Sequence, residues 1–347
     1  MLLNRRVACA AGLVALTLGV AACGTSSSST GAGRSAGEKA TLTLYNAQHE
    51  DLMARMVADF TKSSGIEVNM RNGEDFELGN QLVQEGALSP ADVFVTENSP
   101  AMTLVDSKGL FAKVDDATLA QVPKQFVPTD KGWVGFAARS TVFAYNPAHL
   151  KAADLPASIM DLAQPQWKGK VGISAAGADF QAIASAVLSL KGETATVAWL
   201  KGLKDNARLY QGNGAIMKAV NAGEIQSGVI YHYYWYKDQA ESGANSNNVK
   251  LLYFGRQDAG AFLSVSGAGV IKSSKHQGEA QQMVRYLNGA AGQKVLADSA
   301  ALEYPIGNGA PANKALKPMS ELSPPAVDLA TLNGPKVVEL MQQAGLL

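Results

Sequence analysis

Residues 41–95 read TLTLYNAQHEDLMARMVADFTKSSGIEVNMRNGEDFELGNQLVQEGALSPADVFV and contain a repeating pattern. Short runs of β-branched and apolar residues at Thr41–Tyr45, Ile66–Met70 and Ala91–Val95 each predict a strand. Apolar residues recur at helical spacing between these runs, at Leu52, Met53, Met56, Val57 and Phe60 and again at Leu78, Leu82 and Val83. The unit is therefore βαβαβ, which is typical of an α/β sheet covered by helices.

A second series of the same kind follows toward the C-terminus. It contains predicted strands at Thr141–Tyr145, Lys170–Ile173, Ser227–Ile230 and Val249–Tyr253, with helices over Ile183–Leu190, Val197–Leu203 and Ile216–Val220. The last hundred residues predict strands at Ala261–Val265 and Gly267–Ile271 and helices at Gly278–Leu287 and Lys294–Ala297, which suits a chain that crosses between two lobes more than once.

The sequence thus predicts a two-lobed α/β protein, in which each lobe is a mixed sheet covered by helices and a small ligand binds in the cleft between the lobes. We expect one lobe to contain residues 40–138 and about 264–318. The other lobe is expected to contain about 139–263 and 319–347.

The first 39 residues predict export. Arg5 and Arg6 precede an apolar stretch at Val7–Val20, which is too short and too interrupted by glycine to span a bilayer, so residues 1–22 are interpreted as a signal peptide. The ending Val20–Cys23 resembles a bacterial lipobox, in which Cys23 carries the lipid; the alternative is an incidental cysteine. Residues 23–39 are rich in Ser and Gly and predict a flexible tether at the outer face of the cell membrane.

Composition excludes several classes of function. The 347 residues carry no net charge and have no long basic run, so a nucleic-acid surface is not expected. The two cysteines, Cys9 and Cys23, both belong to the exported leader and its lipid site. The mature chain is therefore expected to have no disulfide, no thiolate zinc site and no cysteine nucleophile.

Three places carry side chains that could hold a ligand: Tyr231–Tyr236, His49 and Glu97. Each also has an ordinary structural explanation, since an aromatic cluster packs, a histidine at a strand–helix junction can be a cap, and a carboxylate after a strand can cap the next helix. All three follow predicted strand ends, which meet at one crevice in an open α/β sheet.

One imidazole, one carboxylate and two or three phenols in a cleft suit a hard cation, and Fe³⁺ fits best. Two phenolates and one carboxylate would balance its three charges. Adjacent side chains of a strand point to opposite faces, so Tyr233 and Tyr234 can reach one ion only if the chain leaves the extended form there. A turn or a helix start is therefore predicted at this point.

The sequence resembles the ferric-ion-binding family of periplasmic or lipoprotein components of ABC importers. The motifs that carry the resemblance are Leu44–His49, Pro90–Glu97, Trp133–Arg139, Gly223–Ile225 with Tyr233–Trp235, Ser266–Ala268 and Glu303–Pro305. The resemblance implies the type II periplasmic-binding-protein fold and iron ligands at His49, Glu97, Tyr233 and Tyr234. It also implies a monomer that delivers a ferric ion or ferric chelate to a membrane permease.

The family adds a small anion, phosphate or carbonate, beside the iron. By resemblance its site includes Asn98, Arg139, Asn213, Tyr231 and the turn Gly177-Ala178-Asp179. The chain departs from the family here, because Gly177-Ala178-Asp179 stands where Ser-Gly-Ala is common, Asn98 where glutamine is common, and Tyr231-His232 where two asparagines are found. Arg139 is expected to be either an anion partner or part of a hinge salt bridge.

Two other functions stay open at this point. A non-haem iron enzyme would use similar ligands but would need an open coordination position and a pocket for an organic substrate. Alternatively, the same fold could bind thiamine, a polyamine or a sugar by stacking on Tyr231, Tyr233, Tyr234 and Trp235.

Overall fold

The computed structural model describes residues 40–311 and 313–347. The predicted signal peptide, the tether and Cys23 lie outside the described residues. The strands are β1 Thr41–Ala47, β2 Glu67–Asn72, β3 Val93–Thr96, β4 Val134–Tyr145, β5 Val171–Ile173, β6 Ala207–Leu209, β7 Ser227–Tyr231, β8 Lys250–Leu252, β9 Leu263–Val270 and β10 Tyr304–Pro305. The helices are α1 Glu50–Ser64, α2 Asp75–Glu85, α3 Ser99–Ser107, α4 Asp116–Leu119, α5 Ala178–Asn206, α6 Asn213–Ala222, α7 His232–Glu241, α8 Gln277–Asn288, α9 Ala290–Ala297 and α10 Gly334–Gln343.

The strands form one sheet in the order β2-β1-β3-β9-β4-β7-β5-β6, with β8 and β10 also paired to β4. β1 is parallel to β2 and β3, whereas β9 is antiparallel to both β3 and β4. On the far side, β4 is antiparallel to β7, and β7, β5 and β6 are parallel. The sheet is therefore mixed, as predicted.

β4 connects the two halves of this sheet. Its residues Val134–Ser140 pair with β9, and Thr141–Tyr145 pair with β7. The chain later returns to the first half through β9, which pairs with β3. These pairings support a lobe boundary near residue 139, although residues 40 onward also group into one compact unit. The division into two lobes stays a prediction.

Several element assignments differ from the sequence predictions, most clearly at α5 and β9. The two predicted helices near Ile183 and Val197 belong to one segment, α5, which is interrupted at Gly192 (φ 77°, ψ 171°). A positive φ at Gly192 is available to glycine without steric cost, so the helix can change direction there. The two strands predicted on either side of Ser266 are a single buried strand, β9. No helix in the described ranges has the length and apolar character needed to cross a membrane.

The close contact between β7 and α6 gives a test of packing. At Gly228 an added Cβ would clash with Cγ2 of buried Ile216 and lie 3.1 Å from the carbonyl oxygen of Gly172. We expect Gly228→Ala to lower the free energy of unfolding by about 1–3 kcal/mol, because the core there has no free space. Urea denaturation measures this change.

The matched control is Gly278→Ala in α8, where an added Cβ meets nothing within 4 Å. This change should leave stability within about 1 kcal/mol of wild type, on the stabilising side. Equal effects of the two substitutions would contradict the packing of β7 described here.

Candidate functional site

The parallel pairing of β1 and β3 brings His49 and Glu97 together. Ala47 is the register partner of Thr96, so the residues that follow the two strands emerge at the same edge of the sheet. His49 Nε2 lies 3.8 Å from Glu97 Oε1. His49 is at the N-cap position of α1, but its side chain makes no capping hydrogen bond. Asn98, not Glu97, is at the N-cap position of α3. The ordinary capping explanations therefore do not account for these two side chains.

The tyrosine pair lies at a helix start, one of the two alternatives predicted. β7 ends at Tyr231 and α7 begins at His232, so both phenols follow the point where the chain leaves the extended form. The Tyr233 hydroxyl donates to Glu97 Oε1 over 3.0 Å. The ring of Tyr234 stacks on that of Tyr233 at a centroid distance of 4.3 Å, and the His49 ring lies 5.2 Å from the Tyr233 ring. The structure thus gathers the four side chains expected to hold iron.

A buried charge cluster lies directly behind these side chains. Arg139 on β4 is fully buried, and its Nη1 contacts Glu97 Oε1. Its Nε lies 3.9 Å from Oε2 of Glu303, which is also fully buried. Glu303 Oε1 in turn lies 3.3 Å from His49 Nε2. Donor atoms of His49, Glu97 and Glu303 all lie within 4.8 Å of one another, so these three residues could together hold a metal ion.

Glu303 was not among the ligands predicted from the sequence. It appeared there only as part of the motif Glu303–Pro305. Its position is set by the short strand β10, which pairs with Ala137 and Ala138 of β4 and so places Glu303 near Arg139. A two-residue strand is too short to produce a periodic sequence pattern. Only the motif Glu303–Pro305 could therefore have indicated the buried Glu303 next to it.

Mutual pairing fixes the charges of Glu97 and Arg139. Burial raises the pKa of Glu97, but the positive charge of Arg139, the proximity of His49 and the Tyr233 hydrogen bond outweigh burial and lower it overall. Burial alone would lower the pKa of Arg139. The negative charges of Glu97 and Glu303 raise the pKa by more than burial lowers it, so the net shift is upward. For Glu303, burial dominates and the pKa is raised. Glu97 and Arg139 are therefore an ion pair at neutral pH.

The two phenols keep their protons when no metal is bound. Burial and the negative charges of Glu97 and Asp179 raise the pKa of Tyr233 well above its ordinary value. The pKa of Tyr234 is raised by burial and by the same two carboxylates, Asp179 before Glu97. Only a bound cation can make the phenolate forms stable here.

The residues expected around an anion also come together, but around a carboxylate of the protein itself. Gly177 is at the N-cap position of α5, Ala178 is its first residue, and Asp179 lies in its first turn. Asp179 Oδ1 accepts a hydrogen bond from Asn98 Nδ2 (3.1 Å), and Oδ2 accepts one from Asn213 Nδ2 (2.6 Å). Burial and the charge of Glu97 raise the pKa of Asp179 to about 7.

Tyr231 and His232 make their hydrogen bonds away from the four side chains expected to hold iron. The Tyr231 hydroxyl donates to Asp179 O (3.2 Å) and Asn98 Oδ1 (3.4 Å), and its ring lies 5.2 Å from the guanidinium carbon of Arg139. His232 Nδ1 accepts a hydrogen bond from the Ser140 N–H. Burial and the charge of Arg139 lower the pKa of His232 to about 3, so its ring is neutral at physiological pH.

A pocket of about 250 Å³ opens beside the site. His49 and Tyr233 form part of its wall, and the charged residues Arg55, Lys237 and Asp51 lie around it. The His49 imidazole can therefore be reached from solvent, whereas Tyr233, Arg139 and Glu303 are buried.

Comparison with known proteins identifies the family of this chain. A family profile described as bacterial extracellular solute-binding protein matches residues 89–328. The Fe(3+)-binding periplasmic protein of Serratia marcescens is 59% identical over 306 residues, which cover 88% of this chain and 90% of that protein. The major ferric iron-binding protein of Neisseria meningitidis serogroup A is 34% identical over 311 residues, covering 88% and 93%.

A solved structure, iron-bound HitA from Pseudomonas aeruginosa, matches with a TM-score of 0.82 and 42% identity over 88% of this chain and 99% of that chain. This match confirms the α/β fold predicted from the sequence, that of type II periplasmic binding proteins.

The contribution of the buried Arg139 side chain to stability can be tested by substitution. Arg139→Met leaves Glu97 and Glu303 without a positive partner, and we expect it to lower the free energy of unfolding by about 3–5 kcal/mol at neutral pH. The loss should shrink as the pH falls toward the ordinary glutamate pKa of about 4.3, because protonation removes the unpaired charges. Urea denaturation across this pH range measures the effect.

The control is Arg285→Met, which breaks the exposed pair with Asp115 (3.1 Å). Exposed pairs contribute little, so the expected loss is no more than about 1 kcal/mol. If Arg139→Met lowered the free energy of unfolding as little as Arg285→Met, or by an amount that does not depend on pH, the described charge cluster would be wrong.

Proposed function

Because this chain belongs to the family of bacterial extracellular solute-binding proteins, we propose that it captures ferric iron outside the cytoplasm and delivers it to an ATP-driven importer in the membrane. The observation that carries the proposal is the convergence of His49, Glu97 and Tyr233, with Tyr234 stacked on Tyr233. The names of the relatives, an Fe(3+)-binding periplasmic protein and an iron-bound HitA, support the same cargo.

We assign the iron ligands to His49, Glu97, Tyr233 and Tyr234. Phenolate and carboxylate oxygens are hard anionic donors, and two phenolates with one carboxylate balance the charge of Fe³⁺. The contacts to Arg139, Tyr233 and His49 all fall on Oε1 of Glu97, so the donor atoms of Tyr233 and His49 gather around that oxygen. Arg139 keeps Glu97 ionised, and Glu303 lies 3.3 Å from Nε2 of the His49 imidazole.

Capture requires no chemical change in the cargo. The protein acts as a monomeric carrier that binds a ferric ion, or strips it from a chelate, and presents it to a permease. In this proposal residues 1–22 are a signal peptide, and lipidated Cys23 anchors the chain to the outer face of the cell membrane through the tether at residues 23–39. A phosphate or carbonate ion beside the iron stays a prediction of the family resemblance, and the position of Asp179 argues against it.

The ligand assignment predicts a coloured complex. Purified protein mixed with ferric citrate should develop a visible absorption band from charge transfer between tyrosinate and iron. The double variant Tyr233→Phe/Tyr234→Phe should lose the band and bind iron more than about 100-fold more weakly, because replacing even an outer partner of a metal ligand costs 10–100-fold. Competition with a soluble chelator measures the affinity.

The control for this test is Tyr236→Phe on the same helix, whose hydroxyl contacts Tyr253 and not the ligand cluster. It should keep the band and the affinity. Absence of colour in the wild type, or undiminished colour in the double variant, would reject the assignment.

Iron binding should also release protons. Both phenols are protonated without metal because their pKa values are raised, so loading displaces about two protons per iron and the affinity rises as the pH rises. A pH-stat titration with ferric nitrilotriacetate, corrected for the reagent alone, should give about one proton fewer for Tyr234→Phe than for the wild type. Equal release by the two proteins would show that Tyr234 is not a ligand.

A further inference from the structure

His232 is buried next to the proposed iron ligands without being one of them. It is fully buried and is the first residue of α7, directly before the tyrosine pair. Its Nδ1 accepts a hydrogen bond of 3.2 Å from the backbone N–H of Ser140, which is also buried. A neutral imidazole has one accepting nitrogen, so this bond uses the acceptor of the ring. The bond joins the start of α7 to β4 at the residue after Arg139.

The ring of His232 also contacts the segment that carries Glu303. It stacks on the Tyr304 ring at a centroid distance of 4.7 Å and an interplanar angle of 21°. Tyr304 is fixed by its own contacts, because its strand pairs with β4 and its hydroxyl donates to the backbone oxygen of Lys317 over 2.9 Å. His232 therefore contacts the neighbours of both Arg139 and Glu303, two members of the charge cluster behind the proposed iron ligands.

These contacts fix the direction in which α7 presents its side chains. A helix turn takes 3.6 residues, so each residue points about 100° around the axis from the one before it. His232 and Tyr236 lie on one face, with their rings 5.9 Å apart, while Tyr233 and Tyr234 point in other directions. A rotation of α7 that broke the His232 bond to β4 would also move the Tyr233 hydroxyl away from Glu97, to which it donates over 3.0 Å.

Resting on the proposed function, we infer that the hydrogen bond from the Ser140 N–H to Nδ1 makes His232 a positioning residue for the two tyrosine ligands. The bond ties the helix that carries both phenols to the strand that carries the cation paired with Glu97. The phenols, the Glu97 carboxylate and the guanidinium group then keep one mutual arrangement before iron arrives. A site arranged in advance binds its ligand more tightly, because less ordering is needed on binding.

The two contacts of His232 can be removed one at a time. His232→Phe keeps a ring that can stack on Tyr304 but leaves the buried Ser140 N–H without an acceptor. His232→Asn does the reverse, since its amide oxygen can accept at about the position of Nδ1 but no ring is left. The inference assigns the alignment of the phenols to the hydrogen bond, so the two variants should differ in iron binding and not only in stability.

The matched control is Trp199→Phe in α5. Trp199 is a buried ring that stacks on Phe180 and donates one hydrogen bond of 3.0 Å to the backbone oxygen of Ile159. Like His232→Phe, this substitution keeps an aromatic ring and removes one bond between a buried ring and the backbone. Its contacts lie outside the ligand cluster, so it measures the effect of lost stability alone.

The experiment compares iron affinity with stability in the wild type and the three variants. Affinity is measured by competition with a soluble chelator after loading from ferric citrate, together with the tyrosinate band and the midpoint of urea denaturation. We expect His232→Phe to bind iron about 10- to 100-fold more weakly than the wild type and to shift or weaken the band, as when an outer partner of a metal ligand is removed. His232→Asn should lose less than about 10-fold and keep the wild-type band. Trp199→Phe should lose stability and keep both the affinity and the band.

Wild-type affinity and an unchanged band in His232→Phe would overturn the inference, as would an equal loss of affinity in His232→Asn. Affinity losses that follow the losses of stability across all three variants would overturn it too. In each of these cases the proposed function would stand. No band in the wild type would overturn the proposed function, and this inference with it.

If His232→Phe does not fold, the wild type decides the question. Nitrogen-15 NMR of protein with labelled histidine, loaded with Ga³⁺ as a diamagnetic substitute for Fe³⁺, reports the state of each ring nitrogen. We expect Nδ1 of His232 to carry neither a proton nor a metal ion, because it must accept from the Ser140 N–H in the loaded protein. A protonated or metal-bound Nδ1 would overturn the inference.

Discussion

A positive charge in the middle of the sheet is the constraint on which the site depends. Arg139 is fully buried on β4, at the point where that strand passes from one half of the sheet to the other. A buried cation is tolerated only when anions surround it, and here Glu97 and Glu303 do so. This pairing keeps Glu97 ionised in spite of burial, and Glu303 in turn contacts His49. The Glu97 carboxylate and the His49 imidazole, both proposed as iron ligands, thus lie around one guanidinium group, directly and through Glu303.

Much of this arrangement could be predicted from the sequence, because it depends on strand ends. His49 and Glu97 each follow a short apolar strand, and parallel strands side by side place such residues at one edge. The helix start at His232 followed from geometry, since two adjacent phenols cannot face one point from an extended chain. These predictions needed only local periodicity and the general behaviour of α/β sheets.

The missed features depend on contacts between distant segments. Glu303 reaches the cluster only because Tyr304 and Pro305 pair with β4, and no pattern near residue 303 records that pairing. The sequence also could not choose between the two roles considered for Arg139, because the choice depends on whether Glu97 or a bound anion lies against the guanidinium group. At residues 177–179 the change of residue was visible, but the turning of Asn98 and Asn213 toward Asp179 was not.

The continuity of β4 has a mechanical consequence for any motion between the two halves of the sheet. A loop between the halves would rotate freely, whereas a strand bonded to neighbours in both halves can only bend and twist elastically. The Ser140 N–H is also bonded to His232, the first residue of the helix that carries Tyr233 and Tyr234. A bend at Ser140 would therefore move Tyr233 and Tyr234 along a restricted path relative to the other half of the sheet.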